Sequence, residues 1–340
     1  MASFNIPKRI RAINQPDWQS TNLELIETDT PIAKPDSDEH LIRVYATAPC
    51  AGELLWAKNF PATLEGGKSG VPCYDLSGVV VTAPANSPFQ PGSEVYTRTT
   101  AWRTGNAREY TIAVTSELAL KPKNLSWEDA ASIPLSAFTA YQALFEHGGF
   151  KAPWKDQAGA TENGEKRLIV TAASGGVGVW VLQLAKAAGV KDIVAVVGPS
   201  NVEFVKELGA SEVVNYKEQS LGHWIAAGNA KADVIFDAVG GQTLTDAWGA
   251  VKEGGKIVTI KEPAASRKPK TDPPKDVQDV FFIMEAEGWQ LKEVAQLIEA
   301  GKAKPVVDSI FSMEDFQKAF DKVESGHARG KVMIKITSSA

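Results

Sequence analysis

The sequence predicts an α/β protein in which a doubly wound, mainly parallel sheet is combined with a β-rich domain. From Leu168 onwards, six short apolar runs alternate with helical segments, the pattern of parallel strands joined by crossover helices. One of these runs leads through a glycine cluster into an amphipathic helix. Before about residue 124, strand-like runs are separated by Pro, Gly and Asn, and no regular alternation of helices and strands appears.

The alternating part supplies the elements of the predicted parallel sheet. The strands are expected at residues 168–171, 192–197, 212–215, 232–237, 256–260 and 280–284. The helices are expected at residues 177–188, 202–208, 219–227, 243–251 and 290–300. Ser126 resembles a helix N-cap, residues 137–145 can form a second helix, and residues 151–164 are expected to be an exposed loop. A last strand is expected at residues 331–337.

Composition limits the class of protein. The 340 residues are enough for two domains or one elaborated domain, and 44% apolar residues can fill a large core. A net charge of -5 without a dense Lys/Arg cluster argues against nucleic-acid binding. No signal peptide and no membrane-spanning run is visible. Cys50 and Cys73 are the only cysteines and are expected to be free thiols, so a cytoplasmic location is predicted. His40 lies among polar residues and is expected at the surface.

The glycine cluster is a candidate phosphate site. The first amides of a helix lack intrahelical acceptors, and the helix dipole adds partial positive charge there. Gly175 and Gly176 would let a pyrophosphate approach the backbone, and Gly178 would let the helix pack closely on the strand. The spacing AxxGGVG differs from GxGxxG, and a plain structural turn is the alternative.

The end of the second strand favours NADPH over NADH. In the NAD-binding version of this sheet, a carboxylate near this place binds the ribose 2′-hydroxyl. Here the chain has Gly198-Pro199-Ser200-Asn201, and Ser200 and Asn201 can donate hydrogen bonds to a 2′-phosphate. The alternative is that these residues only form a turn.

Several motifs, taken in order, resemble the medium-chain dehydrogenase/reductase superfamily. VPCYDLSGVV resembles a PGxDxxGVV segment of its zinc-free, quinone oxidoreductase-like branch, and PLSAFTAYQAL resembles the connecting helix of that branch. AASGGVG, ELGASEVVNY, FDAVGG and the closing HARGKVMI follow in the same order. The matches extend from about Leu41 to Ile336.

This resemblance implies a Rossmann doubly wound parallel sheet inserted in a GroES-like β-rich catalytic domain, with NADPH in the cleft between them and a possible homodimer. The implied boundaries are residues 1–124 and 301–340 for the catalytic domain and 125–300 for the Rossmann domain. The family often has a Lys where Asn201 stands. The implied cofactor contacts are Thr139 at the nicotinamide, Ser174, Gly175, Gly176 and Val177 at the pyrophosphate, Ser200, Asn201 and Tyr216 at the 2′-phosphate, and Val239, Ile260 and Phe282 around the nicotinamide.

The sequence does not match the ligand pattern of the zinc alcohol dehydrogenases that resemble this fold. Those enzymes need a Cys, the histidine of a GHE motif and a third ligand. Cys50 is near the first place, but the GHE place is Cys73-Tyr74-Asp75. No metal is therefore expected; a site made of Cys50, Cys73 and Glu53 is the alternative.

Without a metal, catalysis must come from positioning and from donors near the developing negative charge, which suits a quinone or an α,β-unsaturated carbonyl. The zinc-free branch commonly has an Asn, an Asp and a Tyr where this chain has Cys50, Glu53 and Phe60. Phe60 cannot donate a proton, and Tyr74 is the nearest replacement, with core packing as its alternative role. Glu53 is either a proton relay or a solvent-facing charge, and solvent itself can supply the proton.

The predicted function is an NADPH-dependent, metal-independent reductase of quinones or enones, with a small-molecule substrate and no nucleic-acid or membrane partner. Two alternatives remain open. One is a specialised biosynthetic enoyl or carbonyl reductase with a larger substrate. The other is a non-catalytic NADPH-binding protein, which the altered Cys50, Glu53 and Phe60 positions suggest.

Overall fold

The computed structural model describes residues 4–59, 70–155 and 158–337. The chain divides into two compact units. The first, the β-rich unit, contains Met1–Phe138 and Glu285–Ala340, and the second, the parallel-sheet unit, contains Thr139–Met284.

The first segment of the chain is mostly strands. In chain order it contains β1 (Arg9–Asn14), β2 (Glu24–Asp29), β3 (Glu39–Ala48), α1 (Trp56–Asn59), β4 (Asp75–Thr82), β5 (Glu94–Arg98), β6 (Tyr110–Val114), β7 (Ala119–Leu120), α2 (Trp127–Ala131) and α3 (Pro134–Tyr141). Nearly all residues of β4 and β5 are buried, so both faces of these two strands are covered.

The middle segment is the predicted parallel sheet with its helices. It contains α4 (Gly159–Asn163), β8 (Arg167–Val170), α5 (Gly178–Ala187), β9 (Asp192–Val197), α6 (Val202–Leu208), β10 (Glu212–Asn215), α7 (Leu221–Ala226), β11 (Ala232–Asp237), α8 (Gly241–Ala250), β12 (Val251–Thr259) and β13 (Gln278–Phe281). All neighbouring strands are parallel, in the order β10-β9-β8-β11-β12-β13. The predicted fold class is confirmed, because this is the strand order of a doubly wound sheet.

The last segment returns to the β-rich unit. It contains α9 (Gly288–Glu299), β14 (Val307–Ser312), α10 (Phe316–Glu324) and β15 (Lys331–Lys335). The larger sheet of this unit has the order β14-β15-β3-β4-β5-β7, and β6 also pairs with β3. Because β15 pairs antiparallel with β3, both ends of the chain build one sheet.

The boundaries of the units differ from those expected at residues 124 and 300. Helix α2 belongs to the β-rich unit, since Ser77 Oγ donates to Trp127 O at 2.6 Å and the Tyr45 and Trp127 rings stack 4.4 Å apart. Helix α9 also belongs there, since the Tyr96 hydroxyl donates to Leu291 O at 2.8 Å. These tertiary contacts join segments far apart in sequence, so local patterns do not reveal them.

The loop expected at residues 151–164 contains a short helix, α4, so that expectation was wrong for residues 159–163. The glycines at both ends of this segment suggested a break in regular structure. Asn163 is buried and its side-chain amide donates to Lys151 O at 2.7 Å and to Ala188 O at 2.8 Å. These tertiary hydrogen bonds fix the segment despite its weak helix propensity.

His40 is buried rather than at the surface. Its ring nitrogens lie 3.1 Å from Asp38 O and 2.7 Å from Ser87 Oγ. Burial lowers the pKa of His40, and the backbone hydrogen bonds of Asp38 and Ala113 oppose this only in part. The neutral ring is therefore the form that the folded protein favours.

We expect the free energy of unfolding to fall as the pH drops below about 6.5, the ordinary histidine pKa. The unfolded chain binds a proton on His40 more readily than the folded chain does, so acid favours unfolding. Urea unfolding at pH 7.5 and 5.5 would measure this loss. A His40→Gln variant should lose less stability between the two pH values, and an equal loss would contradict the prediction.

No helix in the described part of the chain has the length and apolar character needed to cross a membrane.

Candidate active site

The glycine turn lies at the carboxyl end of the parallel sheet. It joins β8 to α5, and hydrogen bonds from Thr171 N to Phe236 O, 3.0 Å, and from Ala173 N to Val196 O, 3.4 Å, attach it to β11 and β9. A Cβ on Gly178 would lie 2.3 Å from Ala172 O, so helix and turn approach too closely for any side chain. The structure thus places the amides at the start of α5 above the strand ends.

The predicted pyrophosphate residues all lie in this turn. Ser174, Gly175, Gly176 and Val177 are partly buried and directly precede α5. Ala172 has a φ of 47°, which places the backbone in the left-handed region at the first bend after β8. This geometry exposes backbone rather than side chains to a ligand.

The predicted 2′-phosphate residues lie at the end of β9. Ser200 and Asn201 belong to the short 3-10 turn Pro199–Asn201 before α6, and Ser200 is exposed. Tyr216 N donates to Val197 O at 3.1 Å, which places this half-exposed tyrosine beside the same strand end. Lys217, which sequence reasoning missed, has its Nζ 5.4 Å from the Tyr216 ring centroid and adds positive charge.

The three predicted nicotinamide-pocket residues follow three neighbouring parallel strands. Val239, 45% exposed, comes two residues after β11. Ile260 N donates to Asp237 O at 3.1 Å and Phe282 N donates to Thr259 O at 3.3 Å, so both continue the strand pairing just past the sheet. The structure brings all three to the carboxyl edge where the glycine turn also lies.

A buried carboxyl group joins the glycine turn to the loop after β11. Thr171 Oγ1 donates to Asp237 Oδ1 at 2.8 Å and accepts from Ala238 N at 3.0 Å, while Gly240 N donates to Asp237 Oδ2 at 2.8 Å. Burial raises the pKa of Asp237, and these hydrogen bonds oppose the rise. Asp237 therefore positions the loop that carries Val239, a role that the sequence did not suggest.

Thr139 and His147 come from the segment before β8. Thr139 is buried in α3 and is the first residue of the parallel-sheet unit. His147 ends the π-helical segment Gln142–His147, and its ring centroid lies 4.5 Å from that of Phe282. His147 thus supports a predicted pocket residue.

The predicted catalytic residues form a cluster in the β-rich unit. Cys50 follows β3, and Glu53 begins the 3-10 turn Glu53–Leu55. Glu53 Oε1 accepts from Cys50 N at 3.2 Å and lies 3.6 Å from Cys73 Sγ. Glu53 is only 3% exposed, so the solvent-facing alternative for it is wrong.

Tyr74 belongs to the same cluster and is 2% exposed. Its ring stacks on Trp56 at 5.9 Å with an interplanar angle of 16°, and Arg98 Cζ lies 5.6 Å from its centroid. These contacts are those of the core-packing alternative. Phe60 stands where the zinc-free branch commonly has a tyrosine, and it lies outside the described residues.

The Cys50 thiol and the Tyr74 hydroxyl, the two candidate proton donors, both keep their protons at neutral pH. Burial raises the pKa of Cys50 to about 11, with Glu53 adding to the rise and Lys331 opposing it. Burial and then the Glu53 carboxylate also raise the pKa of Tyr74. Neither group is activated as a nucleophile, so their chemistry is limited to hydrogen bonding.

A buried ion pair lies beneath this cluster. Lys331 Nζ lies 3.2 Å from Asp75 Oδ2, and Leu135 N donates to Asp75 Oδ1 at 2.7 Å. Burial alone would lower the pKa of Lys331, but the charge of Asp75, its hydrogen bond to the ammonium group and the charge of Glu53 outweigh burial and raise the pKa. The ammonium group therefore stays charged. Sequence reasoning missed Lys331 because strand pairing across distant segments brings it to Asp75.

Cys73 occupies a backbone conformation that glycine normally fills. Its φ is 64°, in the left-handed region, and the PGxDxxG pattern has a glycine at its place. Cys73 is also fully buried, so its thiol packs against Glu53 at a cost in backbone strain of about 1 kcal/mol.

The cluster does not fit a zinc ion. Among the residues that the structure describes, no group of three or more His, Cys, Asp or Glu is arranged to hold a metal. A catalytic zinc needs three protein ligands, and Tyr74 stands where a histidine would be required. Instead, Glu53 Oε1 accepts from the backbone amide of Cys50 and from the Cys73 thiol.

Comparison with known proteins identifies relatives with similar architecture. Residues 208–334 match a family model described as zinc-binding dehydrogenase. The chain is 48% identical to a probable zinc-binding oxidoreductase, mitochondrial, of Arthroderma benhamiae, over 99% of this chain and 100% of that protein. It is 31% identical to an NADPH-dependent alkenal/one oxidoreductase, chloroplastic, of Arabidopsis thaliana, over 98% of this chain and 81% of the relative. The quinone oxidoreductase of Coxiella burnetii superposes with a TM-score of 0.82 at 25% identity, covering 97% of this chain and 100% of that chain.

The expected cytoplasmic location is contradicted by these relatives. The Arthroderma benhamiae protein is named as mitochondrial, and it aligns along its full length with this chain. Free cysteines and the lack of a visible signal peptide therefore did not distinguish between intracellular compartments.

The identity to the Arthroderma benhamiae protein extends over nearly the whole of both proteins, and the Coxiella burnetii structure superposes on almost all of this chain. This chain belongs to the medium-chain dehydrogenase/reductase superfamily, in its quinone oxidoreductase-like branch, and is an oxidoreductase of that type.

Proposed function

We propose that this chain is an NADPH-dependent, metal-independent reductase that delivers a hydride to a quinone or an α,β-unsaturated carbonyl compound. The observation that carries the proposal is the end of β9. Ser200 and Asn201 stand there with Tyr216 and Lys217 nearby, and no carboxylate occupies the Gly198–Asn201 turn. Such a site would attract a 2′-phosphate, which a carboxylate would repel.

The residues present fit a dinucleotide. The turn of Ser174, Gly175, Gly176 and Val177 would hold the pyrophosphate at the start of α5, where amides and the helix dipole favour an anion. Thr139, Val239, Ile260 and Phe282 would contact the nicotinamide. The bound cofactor would supply a hydride.

The buried cluster supports reduction of an activated substrate rather than of a simple ketone. An enone or a quinone becomes a delocalised enolate or hydroquinone anion, which needs only modest stabilisation. Tyr74 and the Cys50 thiol can donate hydrogen bonds but are poor acids, since the pKa of each is raised. Glu53, held by Cys50 N and near Cys73 Sγ, is our candidate for passing a proton from solvent to the reduced product.

Names of relatives agree with this substrate class. One is the NADPH-dependent alkenal/one oxidoreductase described above, and another, 32% identical, is a 2-methylene-furan-3-one reductase of Solanum lycopersicum. The experiment is NADPH oxidation with a panel of quinones and enones, together with metal analysis of the purified protein. We expect turnover that survives chelators and much less than one zinc per chain.

Other results would favour the alternatives. Tight NADPH binding without turnover of any panel member would indicate a non-catalytic binding protein. Weak turnover of all small substrates would favour a biosynthetic reductase with a larger substrate. Stoichiometric zinc whose removal stops turnover would overturn the metal-independent mechanism. The homodimer expected from the resemblance is also a proposal, which light scattering would test.

Ser200→Asp should weaken NADPH binding about 10- to 100-fold, because it places a carboxylate beside the 2′-phosphate. NADH binding should change little, since NADH lacks that phosphate. Fluorescence titration with both cofactors would measure the two dissociation constants. Ser200→Ala is the matched control and should cause a smaller loss. An equal loss for NADH and NADPH would contradict the assignment.

A further inference from the structure

The β-rich unit contains a buried arginine to which the described residues offer no ion pair or hydrogen bond. Arg98, the last residue of β5, is 5% exposed. Within the described part of the chain its guanidinium makes no ion pair or hydrogen bond, and its Nε is fully buried without a partner. A buried charge of this kind is costly unless something compensates it.

The two carboxylates whose charges act on Arg98 each have another partner. Asp75 is held by Lys331 and by Leu135 N. Glu117 forms an ion pair with Arg103 and accepts from Thr100 N at 3.0 Å. Arg98 therefore remains a cation whose charge the described residues do not neutralise directly.

The surroundings of Arg98 fix its position and preserve its charge. The guanidinium lies over the Tyr74 ring, and Tyr74 in turn stacks on Trp56. Burial lowers the pKa of Arg98, and the charge of Asp75 opposes this, but an arginine remains protonated at neutral pH. A planar fork of N–H donors, held against an aromatic ring, is suited to bidentate binding of a carboxylate.

We propose that Arg98 is a substrate-binding residue and that the preferred substrate is an enone or quinone carrying a carboxylate. The carboxylate would accept from the two terminal nitrogens of Arg98, since Nε is fully buried. This inference rests on the proposed reductase function and adds to it a substrate class. Arg98 would bind the carboxylate by charge attraction and hydrogen bonds, and no covalent bond would form or break there.

The test compares β-acetylacrylate, an enone with a carboxylate, with its methyl ester. The wild-type enzyme should have a kcat/KM about 10- to 100-fold higher for the acid, the usual range for a charge-assisted hydrogen bond. Arg98→Met should abolish this preference, and Arg98→Lys should retain part of it. NADPH affinity should be unchanged in both variants.

Arg43→Met is the matched control. Arg43 lies on β3 of the same sheet, with its Cζ 5.4 Å from the Tyr45 ring, but it is only partly buried. This variant loses the same guanidinium from a similar aromatic contact, and we expect the preference for the acid to persist in it.

A binding measurement makes the result independent of turnover. β-Acetylacrylate should raise the melting temperature of the wild-type protein and of Arg43→Met, but not of Arg98→Met. The inference is overturned if the wild type shows neither preference nor a thermal shift with the acid, or if the preference or the shift persists in Arg98→Met. Loss of turnover with every substrate would instead reject the proposed function, and the thermal shift would still decide the role of Arg98.

Discussion

Replacing Lys331 with methionine is expected to lower the free energy of unfolding by about 3–5 kcal/mol, because it leaves the buried Asp75 without its cation. Lys331 and Asp75 are 6% and 1% exposed, so water cannot take over the missing interaction. Urea unfolding followed by tryptophan fluorescence would measure the loss. The loss should shrink in acid, because burial already raises the pKa of Asp75 and a protonated Asp75 no longer needs the ammonium group.

Two further variants separate charge from packing. Lys335→Met changes an exposed lysine on the same strand and should alter stability by about 0.5 kcal/mol or less. Asp75→Asn combined with Lys331→Met should recover about half or more of the loss, since the buried carboxylate that lacked its ammonium partner is then also removed. Equal losses in the free energy of unfolding for the Lys331→Met and Lys335→Met variants would show that the ion pair of Lys331 with Asp75 adds nothing to stability.

Gly178→Ala should weaken NADPH binding about 10-fold or more and destabilise the parallel-sheet unit by about 1–3 kcal/mol. The new methyl group would meet the backbone of the glycine turn at 2.3 Å from Ala172 O and 2.6 Å from Ala173 Cα. Since backbone cannot move aside as a flexible side chain can, the turn and its amides must shift. Cofactor titration and thermal unfolding would record the two effects.

Gly249→Ala is the control for this substitution. Gly249 also lies within a helix, α8, but a Cβ there meets nothing within 4 Å. It should therefore stabilise the protein by about 0.5–1 kcal/mol, since alanine has the higher helix propensity. Unchanged NADPH affinity in Gly178→Ala would mean that the turn does not hold the pyrophosphate.

The sequence predicted the parallel sheet well because its signals are local. The runs at β9, β10 and β11 have the predicted bounds, since each is a short apolar segment between turn residues. The glycine turn and the Ser126 N-cap could also be read directly, and Ser126 Oγ accepts from Asp129 N at 3.0 Å. Such features depend on neighbouring residues alone.

The cluster around Glu53 was harder to predict because it is assembled from distant segments. Cys50, Glu53 and Tyr74 were found through motif positions, but Arg98 and Lys331 were not. Arg98 is opposite Asp75 only through the pairing of β4 with β5. Lys331 reaches Asp75 only because β15 joins the sheet beside β3. Burial of Glu53 likewise depends on tertiary packing, which an isolated charged residue in a sequence does not reveal.

The discontinuous β-rich unit has a consequence for biosynthesis. While the chain leaves the ribosome, the contiguous parallel-sheet unit can complete its contacts before the last strands are made. The part of β3 at Ala46 and Thr47 that pairs with β15 stays open until the C-terminal residues emerge, and an open strand edge invites aggregation. Removal of the C-terminal strand should therefore cause aggregation through the β-rich unit rather than through the parallel-sheet unit. Chaperones that bind extended segments would be needed most late in translation.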